Sequence, residues 1–236
     1  EMTNKGADFD TVLKEAQQLG YAEADPTADV EGYDACRKIA ILTSLAYGKT
    51  LDFNDVYTEG ITKVTAEDFA YAKKAGCAIK LLAVSKKQGD TYCVMVAPAF
   101  VRKENPLYMV NDVFNAVCVE GNMLGASMFY GSGAGKLPTA SAVAGDMVDA
   151  ARHLGKIITT FWNPQKLELA PVGEMTHRFF VRMKSDAKDA KVFGDVEMID
   201  AKIKGEIGFM TPVMSEDAFA RKAKNLDIIS MIRVAG

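Results

Sequence analysis

Three features of the sequence predict an α+β fold, in which a larger domain with a mixed β-sheet covered by helices precedes a small ferredoxin-like domain. Apolar residues recur at helical spacing in the first third of the chain, and β-rich runs follow between residues 79 and 131. From residue 177 onward the pattern reads strand, helix, strand, strand, helix, strand. We therefore expect a larger domain over residues 1–160, a linker over 161–176 and a small domain over 177–236.

The composition excludes several classes of protein. Of the 236 residues, 49% are hydrophobic and 25% are charged, which is typical of a globular chain long enough to bury its own core. A net charge of -3 provides no field for binding nucleic acid. No apolar run approaches the roughly 20 residues that cross a bilayer, so we expect no membrane partner.

The cysteines and histidines are too few and too scattered for a zinc site. The chain has four cysteines with no C-x-x-C pair, and its two histidines are His153 and His177. This usage is typical of reduced thiols in a cytoplasmic protein. We expect no metal site in the chain.

Three helices are predicted in the first third of the chain. The first runs from Phe9 to Leu19, and the second from Gly32 to Tyr47. Because the stretch IAILTSLAY of the second helix is apolar on nearly every side, we expect this helix to be buried in the core. Thr65, followed three residues later by Asp68, predicts a capping box for a third helix over residues 66–74.

Strands and glycine-containing turns dominate the middle of the chain. The runs IKLLAVS and TYCVMVAPAFV predict one strand pair, and NAVCVEG and GASMFYG predict a second. A glycine loop, GSGAGK, then leads to a helix for which Thr139 is the expected N-cap. The stretch FWNPQKLELAPVGEM has two prolines and little periodicity, which predicts the linker.

The small domain is predicted from the remaining runs. Its strands are RFFVRM, MIDAKI, EIGFMTPVM and IISMIRV, and its second helix is SEDAFARKAKNL. His177 and Arg178 flank the first strand and are expected at the surface rather than as ligands. His153, near the end of its helix, is expected to interact with the helix dipole.

Acidic residues gather in the stretch GYAEADPTADVEGYDACRK, residues 20–38, where they can converge on one pocket. They are Glu23, Asp25, Asp29 and Asp34, and Lys38 lies one helical turn beyond Asp34 on the same face. One reading is an ordinary surface ion pair beside a turn-forming Asp25. The other is a buried lysine that donates a proton to a developing negative charge, with a nearby carboxylate holding a substrate ammonium.

The glycine loop fits neither of two familiar phosphate-binding motifs. Tyr130 stands where a Walker loop needs its first glycine, Leu137 stands where it needs Ser or Thr, and Lys136 stands where a dinucleotide fingerprint needs its third glycine. A tight strand-to-helix connection accounts for the glycines structurally. A helix N-terminus with free N–H groups would also suit a phosphate or a polarised ring amide.

The pattern A-x-x-x-G-Y-A-x-x-D-P-x-x-D-V-x-G-x-D-x-x-x-K, from Ala16 to Lys38, resembles the signature of homoserine dehydrogenase at every fixed position. The resemblance extends through segments that begin at Gly60, Asn105 and Phe129, and it covers most of residues 2–155. It implies a reduction of L-aspartate 4-semialdehyde to L-homoserine with NAD or NADP, on the pathway to threonine and methionine.

The resemblance also implies roles for individual residues. Lys38 would donate the proton to the aldehyde oxygen, with Asp34 beside it on the substrate hydroxyl. Gly20 and Glu23 would bind the amino-acid end of the substrate, Asp29 would support the site, and Gly135 would touch the cofactor through its backbone; all these positions match the family pattern.

The resemblance further implies parts that this sequence does not contain. In the family a Rossmann domain precedes the substrate domain, so we expect this chain to be a segment of a longer enzyme and to be inactive alone. The residues that distinguish NAD from NADP would lie in that domain. Residues 177–236 resemble an ACT domain by element order, which implies feedback by an amino acid such as threonine. A homodimer or higher homo-oligomer is expected.

Two other functions remain open from the sequence. One is a non-enzymatic amino-acid sensor that uses the ACT-like residues to bind its ligand. The other is a different oxidoreductase that acts on an amino-acid semialdehyde. The pair of Asp34 and Lys38 favours an enzyme over a sensor, and the long match from Ala16 to Lys38 favours homoserine dehydrogenase over another oxidoreductase.

Overall fold

The computed structural model describes residues 9–18, 25–159, 163–184 and 187–235. It is an α+β protein, as the sequence predicts, and its large mixed sheet of eight strands contains strands from both of the predicted domains. Its described α-helices are α1 (Phe9–Gln18), α2 (Thr27–Val30), α3 (Tyr33–Tyr47), α4 (Ala66–Lys74), α5 (Lys136–Arg152), α6 (Ala187–Ala190) and α7 (Glu216–Ala223). Its strands are β1 (Lys49–Thr50), β2 (Tyr57–Thr58), β3 (Cys77–Gln88), β4 (Thr91–Arg102), β5 (Phe114–Gly121), β6 (Gly125–Ser132), β7 (Asn163–Lys166), β8 (Thr176–Met183), β9 (Glu197–Ile199), β10 (Ile207–Met210), β11 (Met214–Ser215) and β12 (Ile228–Val234).

Strand β4 organises the large sheet, because three other strands pair with it. Strand β3 pairs with β4 along its whole length in antiparallel register, from Cys77 opposite Arg102 to Gln88 opposite Thr91. On its other edge β4 pairs in parallel with two strands in succession, first with β2 and then with the end of β12. Most of β4 is buried, since helices and strands cover both of its faces. Its near-continuous apolar run, TYCVMVAPAFV, is the sequence signature of such a strand.

The C-terminal strands continue the same sheet in the order β12, β8, β10, β9. Each of these neighbours pairs in antiparallel fashion, and α6 and α7 lie between them in the chain as predicted. The second strand is shorter than predicted: MIDAKI forms strand only up to Ile199, and Lys202 has a φ of 59°. A left-handed residue bends the chain away from the ladder, so the rest of that run is a turn.

The predicted linker packs against the N-terminal part of the chain. Within residues 161–176, β7 pairs in parallel with β1, Leu167 is 2% exposed, and Met175 is also 2% exposed. The pairing of β12 with β4 joins strands that precede this segment and strands that follow it into one sheet. The boundaries 1–160, 161–176 and 177–236 therefore stay a prediction about domains rather than an observed division.

The helix ends follow the chemistry of their sequences. The backbone N–H of Thr65 donates to the Asp68 carboxylate at 2.9 Å, so the predicted capping box forms and α4 has its predicted bounds. Helix α3 begins after Gly32 and ends at Gly48, both with left-handed backbones, at φ 78° and 66°. Glycine is suited to both positions because it has no Cβ.

Apolar clusters fill the two faces of the sheet. One joins α4 to the sheet through Tyr71, Phe100 and Phe180, and the last two rings stack 4.4 Å apart. A second lies under α3 around Val94 and Val96. A third joins β8 and β10 to α6, α7 and the residues after α6; its buried members are Phe179, Val181, Met183, Ala190, Phe193, Phe209 and Phe219.

Candidate active site

Asp25 is the first residue of the acidic loop that the structure describes. Its carboxylate accepts hydrogen bonds from the Thr27 hydroxyl at 2.6 Å and the Thr27 backbone N–H at 3.1 Å. These bonds, first from the hydroxyl and then from the backbone, lower the pKa of Asp25. Asp25 therefore shapes the turn into α2, as expected of an acid before Pro26. Gly20 and Glu23 lie outside the described residues.

Asp29 and Asp34 lie on either side of a sharp turn. Asp29 is an exposed residue of α2, and its carbonyl accepts a hydrogen bond from the Gly32 backbone N–H at 3.2 Å. Asp34 is the second residue of α3, near the positive end of that helix dipole. Asp29, which is exposed, therefore lies five positions before Asp34, with the turn between them.

Lys38 and Asp34 form the predicted ion pair. Lys38 Nζ lies 2.7 Å from Asp34 Oδ2, one turn apart on the same face of α3. Of the two readings of this pair, the buried lysine is wrong. Among the described residues, the side chain of Lys38 is 66% exposed and that of Asp34 is 46% exposed. Both side chains of the pair are therefore accessible to a ligand.

The prediction that α3 is buried on nearly every side is also wrong. Its buried residues are Cys36, Ala40, Thr43 and Ser44, which lie on one face. On the other face Ile41, Leu42 and Leu45 are between 41% and 51% exposed. Helix α3 therefore has one face on the sheet and an apolar outer face. Sequence alone could not separate the two, because both faces are apolar.

Gly135 is the N-cap of α5, where the sequence analysis placed Thr139. The helix begins at Lys136, and the Thr139 backbone N–H already donates to the Gly135 carbonyl at 3.1 Å. Gly135 has a φ of 114°, which disfavours any residue with a Cβ. The prediction was wrong because a glycine in this conformation starts the helix without a capping side chain. The shift places Gly135 directly at the free N–H groups of the helix start.

The hairpin β5–β6 and α5 form an exposed part of the molecule. In the described part of the chain, no residue of α5 is buried. Large apolar side chains are exposed on both elements: Val119, Met123, Leu124, Phe129, Leu137, Val143 and Met147. Gly133 is packed tightly against Asn115, since a Cβ there would lie 2.1 Å from the Asn115 amide nitrogen. The hairpin therefore fixes the path of the glycine loop.

Lys80 is a residue that the sequence analysis missed. From β3 its ammonium group donates to the Val110 carbonyl and, at 2.7 Å, to Asn111 Oδ1. Burial lowers its pKa, and the nearby Asp112 partly offsets this effect. Lys80 thus ties β3 to the segment that enters the β5–β6 hairpin. The available signal was a single lysine inside the apolar run IKLLAVS.

His177 and Arg178 are less exposed than predicted. Both are half-buried; His177 Nε2 lies 3.8 Å from Glu216 Oε1, and Arg178 donates to the Thr211 carbonyl and the Glu197 carboxylate, each at 2.9 Å. His153 Nδ1 lies 2.9 Å from the Asp149 carbonyl one turn earlier in α5. All of these contacts are made within the fold.

No group of three or more His, Cys, Asp or Glu side chains among the described residues could hold a metal ion. No helix in the same part of the chain is long and apolar enough to cross a membrane. The four cysteines are free thiols, of which Cys118 is exposed.

Comparison with known proteins identifies relatives of this sequence. A sequence model described as homoserine dehydrogenase matches residues 1–148. A homoserine dehydrogenase of Mycobacterium tuberculosis is 48% identical over 189 residues, which are 77% of this chain and 43% of that protein. The chain thus spans about half the length of the curated relatives it matches.

Solved structures give the same result. A homoserine dehydrogenase from Thiobacillus denitrificans matches all of this chain and 60% of its own, with a TM-score of 0.85 and 33% identity. A hyperthermophilic archaeal homoserine dehydrogenase mutant, solved in complex with NADPH, matches 65% of this chain and 43% of its own, with a TM-score of 0.51 and 31% identity.

The fold and the site together define an α+β protein with an exposed acid–lysine pair at the start of a helix, an arrangement suited to proton transfer beside a carboxylate. The chain belongs to the homoserine dehydrogenase family.

Proposed function

We propose that this chain is the substrate-binding and catalytic part of a homoserine dehydrogenase, which interconverts L-aspartate 4-semialdehyde and L-homoserine with a nicotinamide cofactor. The observation that carries the proposal is the 2.7 Å pair of Lys38 and Asp34, exposed at the start of α3 in a chain of this family. This reaction belongs to threonine and methionine biosynthesis.

Lys38 is the proton donor in this proposal. When hydride reaches the aldehyde carbon, negative charge develops on the aldehyde oxygen, and a nearby ammonium group can protonate it. Asp34 keeps the ammonium group in place at 2.7 Å and accepts a hydrogen bond from the substrate hydroxyl. The exposure of both side chains supports this role, because a substrate can reach them.

The carboxylates of the acidic loop bind the substrate. Glu23 holds the substrate ammonium, Gly20 contributes its backbone, and Asp29, exposed on α2, supports the site. Binding by Glu23 stabilises the ground state and the transition state alike, so we assign it to affinity rather than to chemistry. The roles of Gly20 and Glu23 rest on the motif, since both lie outside the described residues.

The start of α5 has the features of a contact for NAD or NADP. The backbone N–H groups of Lys136 and Leu137 lie in the first turn, where a helix leaves its N–H groups without helical partners. Among the described residues, a Cβ on Gly135 would meet only Pro138, at 3.6 Å, so there is room for a ligand to approach its backbone. The nicotinamide supplies the hydride when bound. The NADPH complex of the archaeal relative supports this cofactor class and leaves the choice between NAD and NADP open.

We also propose that residues 177–236 form an ACT-like regulatory domain. Their strand order, β12, β8, β10, β9, supports a ferredoxin-like unit. Binding of an amino acid such as threonine there would give feedback control. Calorimetric titration of L-threonine, with D-threonine as the control ligand, tests this assignment, and equal weak heats for both would contradict it.

Self-association is also part of the proposal. Strand β3 pairs with β4 alone among the described strands, so its other edge is available to a second copy. We expect a homodimer in a cytoplasmic enzyme. Sedimentation that shows only a 25.6 kDa species for this chain at tens of micromolar would contradict the expected dimer.

The test of the catalytic role is Lys38→Ala in the full-length gene product. We expect kcat for homoserine oxidation to fall by about 10² to 10⁴, since that is the usual effect of removing a general acid or base. The control is Lys73→Ala, which removes another exposed helix lysine, from α4. A kcat for Lys38→Ala within about threefold of the parent would reject the role of Lys38.

A further inference from the structure

A buried arginine near the end of the chain holds two carboxylates from different parts of the molecule. Arg233, on β12, donates from Nε and Nη2 to Glu216 at 2.6 and 3.2 Å, and from Nη1 to Glu59 at 2.8 Å. Its side chain is only 5% exposed. Glu216 begins α7, whereas Glu59 follows β2. A buried guanidinium is stable only with such partners, so each contact constrains the segment that supplies it.

These segments meet because β4 holds both β2 and β12 on one edge. Thr58 of β2 lies opposite Val96, and Arg233 lies opposite Ala99, three residues further along β4. The Glu59 backbone N–H continues the ladder by donating to the Val96 carbonyl at 2.8 Å. Both strands run parallel to β4, so the end of β2 points at Arg233.

The residues after Glu59 contact the turn between α2 and α3. The Ile61 backbone N–H donates to the Val30 carbonyl at 2.8 Å, and the Thr62 hydroxyl donates to the Glu31 carboxylate at 3.1 Å. A Cβ on Gly60 would lie 2.4 Å from the Val30 carbonyl oxygen and 2.5 Å from Glu31 Cα. The two segments therefore touch backbone to backbone, with no room for adjustment.

The same turn connects the proposed substrate residues. Asp29 precedes it, and α3, with Asp34 and Lys38, begins two residues after Glu31. Gly32 closes the turn against the sheet, since a Cβ there would lie 3.1 Å from Val96 Cγ1. The position of the acidic loop is thus set by the segment that Arg233 holds.

We propose that Arg233 and Glu59 are positioning residues of the proposed active site. The guanidinium fixes Glu59, and the segment 59–62 then fixes the turn that carries Asp29 on one side and Asp34 with Lys38 on the other. Neither residue takes part in the chemistry. The C-terminal strand thereby becomes necessary for the geometry of the substrate site. This inference rests on the function proposed above.

The chain contains a matched control. Arg182, on β8, is the other buried arginine in the apolar strands of the C-terminal part, and its side chain is also 5% exposed. It donates to Thr65 at 2.8 Å and to Asp68 at 2.9 Å, at the start of α4. Its contacts lead to α4 rather than to the turn between α2 and α3. Loss of either arginine should destabilise the fold, but only one should disturb the site.

The experiment uses Glu59→Ala, Glu59→Gln and Arg182→Lys in the full-length gene product. For Glu59→Ala we expect kcat/KM for homoserine to fall by about tenfold or more, within the roughly 10²-fold that a misplacement of about 1 Å can cost. KM for the cofactor should stay within about twofold, since Glu59 is not among the residues proposed to bind the cofactor. Glu59→Gln should retain most of the parent kcat/KM, because its amide oxygen can still accept from Arg233 Nη1.

A second measurement does not depend on activity. In this chain, hydrogen–deuterium exchange over residues 29–38 should be faster in Glu59→Ala than in the parent, and unchanged in Arg182→Lys. If Arg182→Lys does not fold, Arg178→Lys replaces it as a milder control on the same strand. Unchanged exchange in Glu59→Ala, or an equal fall in kcat/KM in Glu59→Ala and the control, overturns the inference. A parent without homoserine dehydrogenase activity would overturn the proposed function, and exchange would still decide the coupling.

Discussion

Two acid–base pairs with similar geometry lie in contrasting regions of the molecule. At the start of α3, Lys38 Nζ and Asp34 Oδ2 are 2.7 Å apart with side chains 66% and 46% exposed. Between α4 and β8, Arg182 Nη1 and Asp68 Oδ1 are 2.9 Å apart with side chains 5% and 0% exposed. Distance does not distinguish the pairs, but exposure does.

The difference is consistent with the chemical role proposed for Lys38 and Asp34 and with a structural role for Arg182 and Asp68. An exposed pair contributes little to stability, so Lys38 and Asp34 are free to act on a ligand. A buried pair leaves an uncompensated charge when one partner is lost. Asp68 has a second role, since it also caps α4 by accepting from the Thr65 N–H. We therefore expect the buried region to govern stability and the exposed region to govern activity.

The largest effect on stability should come from Asp68→Ala. We expect the free energy of unfolding to fall by about 3–5 kcal/mol, because α4 would lose its cap and Arg182 would keep only longer contacts with carboxylates, at 3.4 Å to Glu206 and 3.9 Å to Glu67. The matched change in the exposed region, Asp34→Ala, should alter it by no more than about 1 kcal/mol. Urea denaturation of this chain and both variants measures the difference. Equal losses would mean that exposure does not determine how much these two pairs contribute to the free energy of unfolding.

Two glycines extend the comparison to packing. A Cβ on Gly208 would lie 2.2 Å from the ring of Tyr71, which is itself 2% exposed, so Gly208→Ala should destabilise the fold by about 1–3 kcal/mol. Gly145, in α5, has no neighbour within 4 Å of an added Cβ among the described residues. Gly145→Ala should stabilise the helix by up to about 1 kcal/mol. Thermal unfolding measures both, and a stabilising Gly208→Ala would contradict the tight contact.

The smallest effect concerns pH and His177. Burial lowers its pKa below 6.5; Glu216 on α7 raises it, while Arg233 on β12 and Lys86 on β3 lower it. The folded state then binds its proton less readily than the unfolded state, so stability should fall as pH drops below about 6.5 toward the folded pKa. At higher pH the residue contributes no such loss. His177→Gln should make the decline between pH 7 and 5.5 shallower in urea titrations, and an identical decline would exclude this contribution.

Local sequence chemistry was sufficient for the regular elements. The capping box of Thr65 and Asp68 predicts α4 with its observed bounds, because the bonds that begin that helix join neighbours in sequence. Glycines at residues 32 and 48 likewise mark the ends of α3. The strand pairs in the middle of the chain follow from alternating β-rich runs and short turns.

Local patterns could not predict which faces of an element are buried, or which distant residues contact it. The run IAILTSLAY is apolar around the whole of α3, so periodicity could not reveal that Ile41 and Leu45 face outward. Thr139 is a good capping residue by type, yet the backbone conformation of Gly135 starts the helix earlier. Lys80, Arg182 and Arg233 stand in apolar strands, and their partners lie between 17 and 174 positions away in the chain.

The sequence by itself determined the family motif, the α+β class, the ends of α3 and α4 and the spacing that joins Asp34 to Lys38, because each can be read from the order and spacing of residues along the chain. Tertiary structure alone decided that Lys38 is exposed, that residues 163–175 pack against the sheet, and that Arg233 reaches Glu59. Burial and long-range ion pairs depend on which segments the large sheet places side by side. That pairing is set by the register of β4 with its three neighbours and is not encoded in any single stretch of sequence.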